Sequence, residues 1–390
     1  MRKIIIDNKW TFIFFVVNIL VFSVFGNRSI FVGSILSYFI IKRSKHKIFW
    51  LSLAIICTVG LTFFMKEDSS LGRILVYKIS FSIFMNNWLY GCGLGEFGRV
   101  YLQEQAKYFS LNSFDLKELL LADNTIYAFN DWFQFICETG VLGIISVSLF
   151  CYSLYCMHFI FDNTRFFWHK VIFLAILISA FFTHIFENQF IVLFLLTIFF
   201  SVIYNDTSFS KRLLNVRFLF AAVLIWGLSK EIESFYLNSQ LKEAIDLSNS
   251  GQFYRSNLLL DNLRKNNNCN YECLFFYSRN SAKIGEVDNA LKIMINLTKH
   301  TSSSLYYSLL ADLYIEKDNL IEAERNLIHA IHMVPNRFEE RHKLLEIYQR
   351  KKDINQANKV AMAIINLPVK VNSARIEFIK KYSNQILKKK

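Results

Sequence analysis

Two arginines stand where apolar chain gives way to polar chain. Arg28 lies in the short turn 26–28 between two apolar runs, and Arg73 opens an amphipathic stretch after a third. A guanidinium is a planar fork that grips phosphate oxygens bidentately and needs no metal to do so. The plainer alternative is that Arg28 snorkels to an interface and Arg73 is a solvated face residue. Further on, GCGLGEFGRVY (91–101) sets Gly91, Gly93 and Gly95 at alternate positions. The run looks superficially like a phosphate loop, but no buried strand precedes it and no Lys-Ser/Thr pair follows, which argues against a nucleotide site. A tight re-entrant turn at a membrane surface suits these glycines better. Asp123, Asp131 and Glu138 are carboxylates available as a general base, although Asp131 also suits a helix cap and Glu138 a membrane edge. His184 and Glu187 form an i, i+3 pair that suits a proton relay or half a metal site; with no second pair in sight, an interfacial polar cluster is the better reading.

These residues need elements to hold them, and the composition says where those elements lie. The chain is 53% hydrophobic with a mean hydropathy of +0.29, and the excess falls almost entirely before residue 230. That predicts one region in lipid and one in water. Apolar stretches run over 10–25, 29–41, 48–65, 133–157, 168–186, 190–204 and 218–228. The second and last are short against the roughly 20 residues a spanning helix needs, and both borrow flanking residues. Residues 1–9 are charged like the front of a signal peptide, yet no small-residue cleavage site follows, so the segment reads as a retained anchor. The net charge of +13 sits largely in short basic clusters between apolar segments, a membrane pattern that argues against nucleic acid as a partner. Placing Arg2, Lys3 and Lys9, then Lys42 to Lys47, Arg165 and Lys170, and Lys211 to Arg217 in the cytoplasm gives about seven alternating spans. The N-terminus is then inside, and the long loop 66–130 and the C-terminus face outward. Loops of such length are functional or disordered. In this one 72–85 is amphipathic, with Ile74, Leu75, Ile79, Ile83 and Phe84 on an apolar side that suits a membrane surface.

After the last apolar stretch the period changes. The segment 304–337 reads YYSLLADLY, then IEAERNLIHAI, then Pro335, matching the 34-residue tetratricopeptide spacing. Ala311, Ala323 and Ala330 allow close helix approach, while Leu310, Tyr314 and Leu327 fill between helices. Similar units begin at about residues 237, 271 and 338, with Ala244, Ala290 and Ala357 at the matching small positions. About four repeats meet the minimum needed for a continuous core. The expected architecture is therefore all-α: a multi-span transmembrane domain over 1–230, a tetratricopeptide-type α-solenoid over 237–371, and a capping helix with a basic tail over 372–390. The concave face of such an array suits a protein partner, or the array serves as a platform. Most of the seven cysteines lie in apolar runs as small hydrophobes. Cys269 and Cys273 suit a disulfide in an oxidising compartment, although one turn of a single helix fits the bond poorly. No His or second Cys pair completes a metal site, so no metal or cofactor is expected.

The order of features resembles a family. An outward arginine in a short turn, an arginine opening an amphipathic helix, and the glycine segment ending at Tyr101 come first. Asn130 at a helix start and ETGVLG from Glu138 follow. Over about residues 20–205 this is similar to the O-antigen ligase and polymerase family, particularly members with C-terminal tetratricopeptide repeats. The resemblance implies metal-independent transfer of a glycan from an undecaprenyl-pyrophosphate carrier to a lipid or protein acceptor, at the outer face of a bacterial inner membrane. It implies that Arg28 and Arg73 hold the pyrophosphate, and that Gly91, Gly93, Gly95, Tyr101 and Asn130 shape the carrier groove. The chain departs from the pattern twice. Phe129 occupies the position where many ligases carry a histidine proposed as base, which leaves Asp123, Asp131 and Glu138 as substitutes. The family's spans ahead of the Arg28 turn are mostly missing, as in a fragment, one half of a split gene, or a degenerate copy. Ligase and polymerase stay open, and so does a non-catalytic membrane-anchored scaffold or a truncated remnant of such an enzyme. A transporter is less suited, because the apolar stretches hold almost no ionisable residues.

Overall fold

A computed structural model describes residues 28–41, 52, 67–111, 115–160, 167–187, 191–192, 214–266 and 268–388. Every regular element among them is a helix. The expected spans at 10–25, 48–65 and 190–204 lie outside the described residues, apart from residues 52 and 191–192. Among the described residues no helix is long and apolar enough to cross a membrane. The chain divides into two compact units. The first comprises Met1–Arg73, Asn87–Leu94 and Tyr127–Glu233, and the second Ile74–Asn86, Gly95–Ile126 and Ser234–Lys390.

In the first unit α1 (Arg28–Ile41) packs on α7 (Phe167–Ser179). Small residues bring the two backbones together, as they do wherever helices meet without long side chains between them. A β-carbon at Gly33 would stand 2.3 Å from Ser179 Oγ and 2.4 Å from the Ala175 carbonyl. Ser179 Oγ donates to the Ser29 carbonyl at 2.9 Å, and Tyr38 stacks on Trp168 at the other end. The apolar stretch expected over 168–186 is helical only to Ser179. At 13 residues α7 is about 20 Å long against a hydrocarbon core of about 30 Å. The rest turns back because its backbone is bound to α5, as described below. The stretch expected over 133–157 is likewise two helices, α5 (Asp131–Thr139) and α6 (Val141–Ile160), broken at Gly140 with φ +64°.

Between them in sequence come α2 (Glu67–Asn86), α3 (Phe97–Ser110) and α4 (Leu116–Leu121). The side of α2 expected to lie on lipid is largely taken up by protein. Leu75, Val76, Ile79 and Ile83 are buried, and it is Ile74, Phe81 and Met85 that remain exposed. Helix α2 supplies residues to both units, and α3 and α4 belong wholly to the second.

The second unit is a solenoid. Helix α8 (Leu214–Asn249) is continuous from the expected last span into the first helix of the array. Then α9 (Phe253–Lys265), α10 (Tyr271–Lys283), α11 (Val287–His300), α12 (Ser304–Glu316), α13 (Leu320–Met333), α14 (Phe338–Arg350), α15 (Ile354–Asn366) and α16 (Ala374–Lys388) follow, each from α9 onward packed on the next. Ala244, Ala290, Ala311, Ala323, Ala330 and Ala357 are all buried, as the small-residue pattern requires, and Leu310 and Leu327 fill between the helices. Short polar side chains cap α10, α13 and α15: Asn270, Asn319 and Asp353 accept from the backbone amides of Cys273, Glu322 and Gln356. The turn inside each pair holds one left-handed residue at equivalent places, Gly251, Gly285, Asp318 and Lys352. Cys269 and Cys273 form a disulfide with Cα atoms 5.3 Å apart. The spacing works because Cys269 precedes the N-cap Asn270, so only Cys273 sits on the helix.

Candidate functional site

The turn 180–187 is where the first unit gathers its polar side chains. Helix α5 holds it from one side. Asn130 caps α5 by accepting from the Phe133 amide at 3.0 Å, and the Asp131 amide donates to the Ala180 carbonyl at 2.9 Å. The Asp131 carboxylate accepts from the amides of Ile185 (2.6 Å) and Phe186 (3.0 Å) through one oxygen. Burial raises the Asp131 pKa, against the lowering pull of those two amides. Trp132 donates from its indole to the Leu177 carbonyl and meets Phe150, Phe181 and Phe186 with its rings.

Arg73 closes on the same turn. Its Nη1 donates to the Phe182 carbonyl at 3.1 Å, and its guanidinium lies 5.7 Å from the centre of the Phe129 ring. Phe129 packs edge-on to His184 at 5.8 Å, and His184 stacks on Tyr127 at 4.5 Å. The Tyr127 hydroxyl donates to the Glu187 carboxylate, whose other oxygen lies 4.0 Å from His184 Nε2. The buried Nδ1 of His184 has no hydrogen-bond partner among the described residues. Phe129 itself adopts φ +53°, a conformation that costs an ordinary side chain about 1–2 kcal/mol and recurs at functional sites. Arg28 opens α1 next to Ser29, whose carbonyl accepts from Ser179 three residues before Phe182. The side chain of Arg28 lies outside the described residues.

The glycine segment packs on the C-terminal end of α5. Cys92 and Gly93 donate their amides to the Cys137 and Glu138 carbonyls at 3.0 Å each, so the loop caps the C-terminus of α5 from outside. The Val141 amide returns a bond to the Trp88 carbonyl at 2.9 Å. Only glycine permits this approach. A β-carbon at Gly91 would stand 2.2 Å from the Glu138 backbone, and one at Gly140 would stand 2.6 Å from Gly91 N. Glu138 is buried and accepts from Gln134 Nε2.

The expected site residues are divided between the two units. Arg28, Arg73, Gly91, Gly93, Asn130, Asp131 and Glu138 belong to the first unit, and Gly95, Tyr101 and Asp123 to the second. Tyr101 is wholly enclosed and stacks on Phe97. Asp123 accepts from the Asn124 amide and pairs with Arg337 at 3.6 Å. His184 and Glu187 lie in one polar cluster with Tyr127. Their helical spacing was visible, but their neighbours Tyr127 and Phe129 lie more than 50 residues away in sequence. Among the described residues no group of His, Cys, Asp and Glu is placed to hold a metal.

Residues 6–148 match the family model described as O-Antigen ligase. No curated protein matches the chain. Among solved structures, MamA of MSR-1 is 14% identical over 39% of this chain and 87% of its own, with a TM-score of 0.32. A putative kinesin light chain with nearly identical TPR-like repeats from Podosopora anserina is 16% identical over 40% and 88%, with a TM-score of 0.34.

Proposed function

We propose that this protein transfers a glycan from an undecaprenyl-pyrophosphate carrier to an acceptor at the outer face of a bacterial inner membrane, as an O-antigen ligase or polymerase does. The observation that carries the reading is the turn 180–187. Arg73 binds it, and helix α1, opened by Arg28, joins it through Ser29 and Ser179. Both arginines fall within the matched family segment. As the glycosidic bond breaks, its electron pair leaves with the pyrophosphate, and two guanidinium forks compensate the growing charge without a metal. The acceptor hydroxyl attacks the anomeric carbon and gives up its proton to a base. Asp131 is spent on two backbone amides and Glu138 is enclosed beside Gln134, so His184, backed by Glu187, is the better base.

Membrane residence is supported by the apolar surface of the first unit. Trp88, Leu89, Tyr90 and Leu94 are exposed in the glycine loop, and Leu142, Ile145, Leu149 and Tyr152 on α6. Ser146 and Ser153 fold their hydroxyls back onto their own helix, as hydroxyls facing lipid do. The Cys269–Cys273 disulfide supports an oxidising compartment for the repeats, consistent with a cytoplasmic N-terminus and an outward array. The array also suits a second reading, a membrane-anchored scaffold without chemistry.

The test is a gel profile of surface polysaccharide from a deletion strain carrying wild type or Arg73→Glu. Restoration by wild type alone supports transfer. Single units in the deletion strain mark a polymerase, and finished polymer left on its carrier marks a ligase. A profile unchanged by deletion, with the gene expressed, leaves the scaffold.

A further inference from the structure

The repeat array is loaded with part of its own chain. In the second unit α3 packs on α13 and buries Phe97, Tyr101, Leu102, Ala106 and Phe109. Polar contacts then tie this loop to the array's helix ends, where backbone groups lack intrahelical partners. Gln105, fully buried, donates through Nε2 to the Met333 carbonyl at the end of α13 (2.5 Å) and to the Asp123 carbonyl (3.0 Å). Asn124 accepts from the Ser304 amide at the start of α12 and donates to the Ser304 hydroxyl, both at 3.0 Å. In return Asn336, from the array, donates to the Leu120 and Ala122 carbonyls at the end of α4 (3.0 and 2.7 Å). Gln103 adds bonds to Ser302 and Tyr307.

From this exchange of caps we infer that the ligand of the third repeat is the chain's own segment 97–124, and that loop and repeat fold as one piece. The chemistry of the fit is specific: an apolar helix face carrying two glutamines, followed by an extended Asp-Asn pair. A polar group left buried without its bond costs about 1–3 kcal/mol, so truncating one partner in place leaves the other unsatisfied. The array therefore serves to hold the outward loop, and no outside protein occupies α12 and α13 on the face α3 covers.

Hydrogen exchange on the full chain in a membrane mimic tests this and requires no activity. In Gln105→Ala and in Asn336→Ala, amides of α3 and of α12–α13 are expected to lose protection together, by about tenfold. Gln103→Ala, at a partly exposed position, is the mild variant and gives a smaller loss in the same two segments. If α3 loses protection while α12 and α13 exchange as in wild type, the array is self-sufficient and the inference fails. Unchanged exchange in all three variants also overturns it.

Discussion

At the scale of single residues, the proposed transfer assigns its chemistry to Arg73 and His184. Arg73→Ala is expected to lower glycan transfer by about a hundredfold or more, the order seen when one charge-stabilising donor is removed. Arg73→Lys keeps the charge and loses the fork, so it should fall between the two in a membrane transfer assay. His184→Ala removes the proposed base and should cost about 10²–10⁴ in turnover with substrate binding little changed. Equal turnover in His184→Ala and wild type would return the role to a carboxylate. Phe129 links these two groups through its ring and sits in left-handed backbone. Phe129→Gly should therefore relax the backbone yet impair transfer, a split that a purely structural ring would not produce.

At the scale of elements, glycine decides where helices meet. Gly91→Ala and Gly140→Ala each force a β-carbon into backbone at 2.2–2.7 Å and demand positive φ of a residue that resists it. Either change should release the loop from α5 and lower the melting temperature measurably by calorimetry. The reverse holds in the array turns, where Asp318 and Lys352 do what Gly251 and Gly285 do elsewhere. Lys352→Gly should stabilise by up to about 1 kcal/mol. The repeats were legible in the sequence because each is a local event: alanines two helix turns apart, a polar cap, a closing Pro335. The site was not. Arg73 and Phe182 are 109 residues apart, and nothing periodic joins them. Gly91 and Gly140 were individually conspicuous, but that they interlock is a tertiary fact. Asn130 caps α5 and Asp131 fastens the turn to it, roles that short polar side chains fill at many helix starts.

At the scale of the whole molecule, charge sets a pH response. Arg375 grips Glu339 with two bonds, 2.7 and 3.0 Å, and this pairing holds the Glu339 pKa below its ordinary value. A depressed carboxylate stabilises the fold above its unfolded pKa of about 4.3, and that stability is lost as pH falls through the folded value. Glu340 and Asp312, raised by burial, act with the opposite sign. The comparison that isolates the pair is Arg375→Ala. Its melting temperature should fall less than wild type's between pH 6 and pH 3, expressed as the difference between the two curves.

The exchange of caps between loop and array also imposes an order on biosynthesis. Gln105 and its acceptor Met333 are separated by 228 residues, and Asn124 and Ser304 by 180. At about 5–20 residues per second, the loop leaves the ribosome roughly 10–40 seconds before the helices that enclose it. For that interval the face of α3 that packs on α13 is uncovered by the array. Full-length chains must therefore shield a sticky, half-made loop while waiting for their own C-terminal third. A premature stop anywhere before residue 304 strands it permanently, which makes truncated products targets for proteolysis.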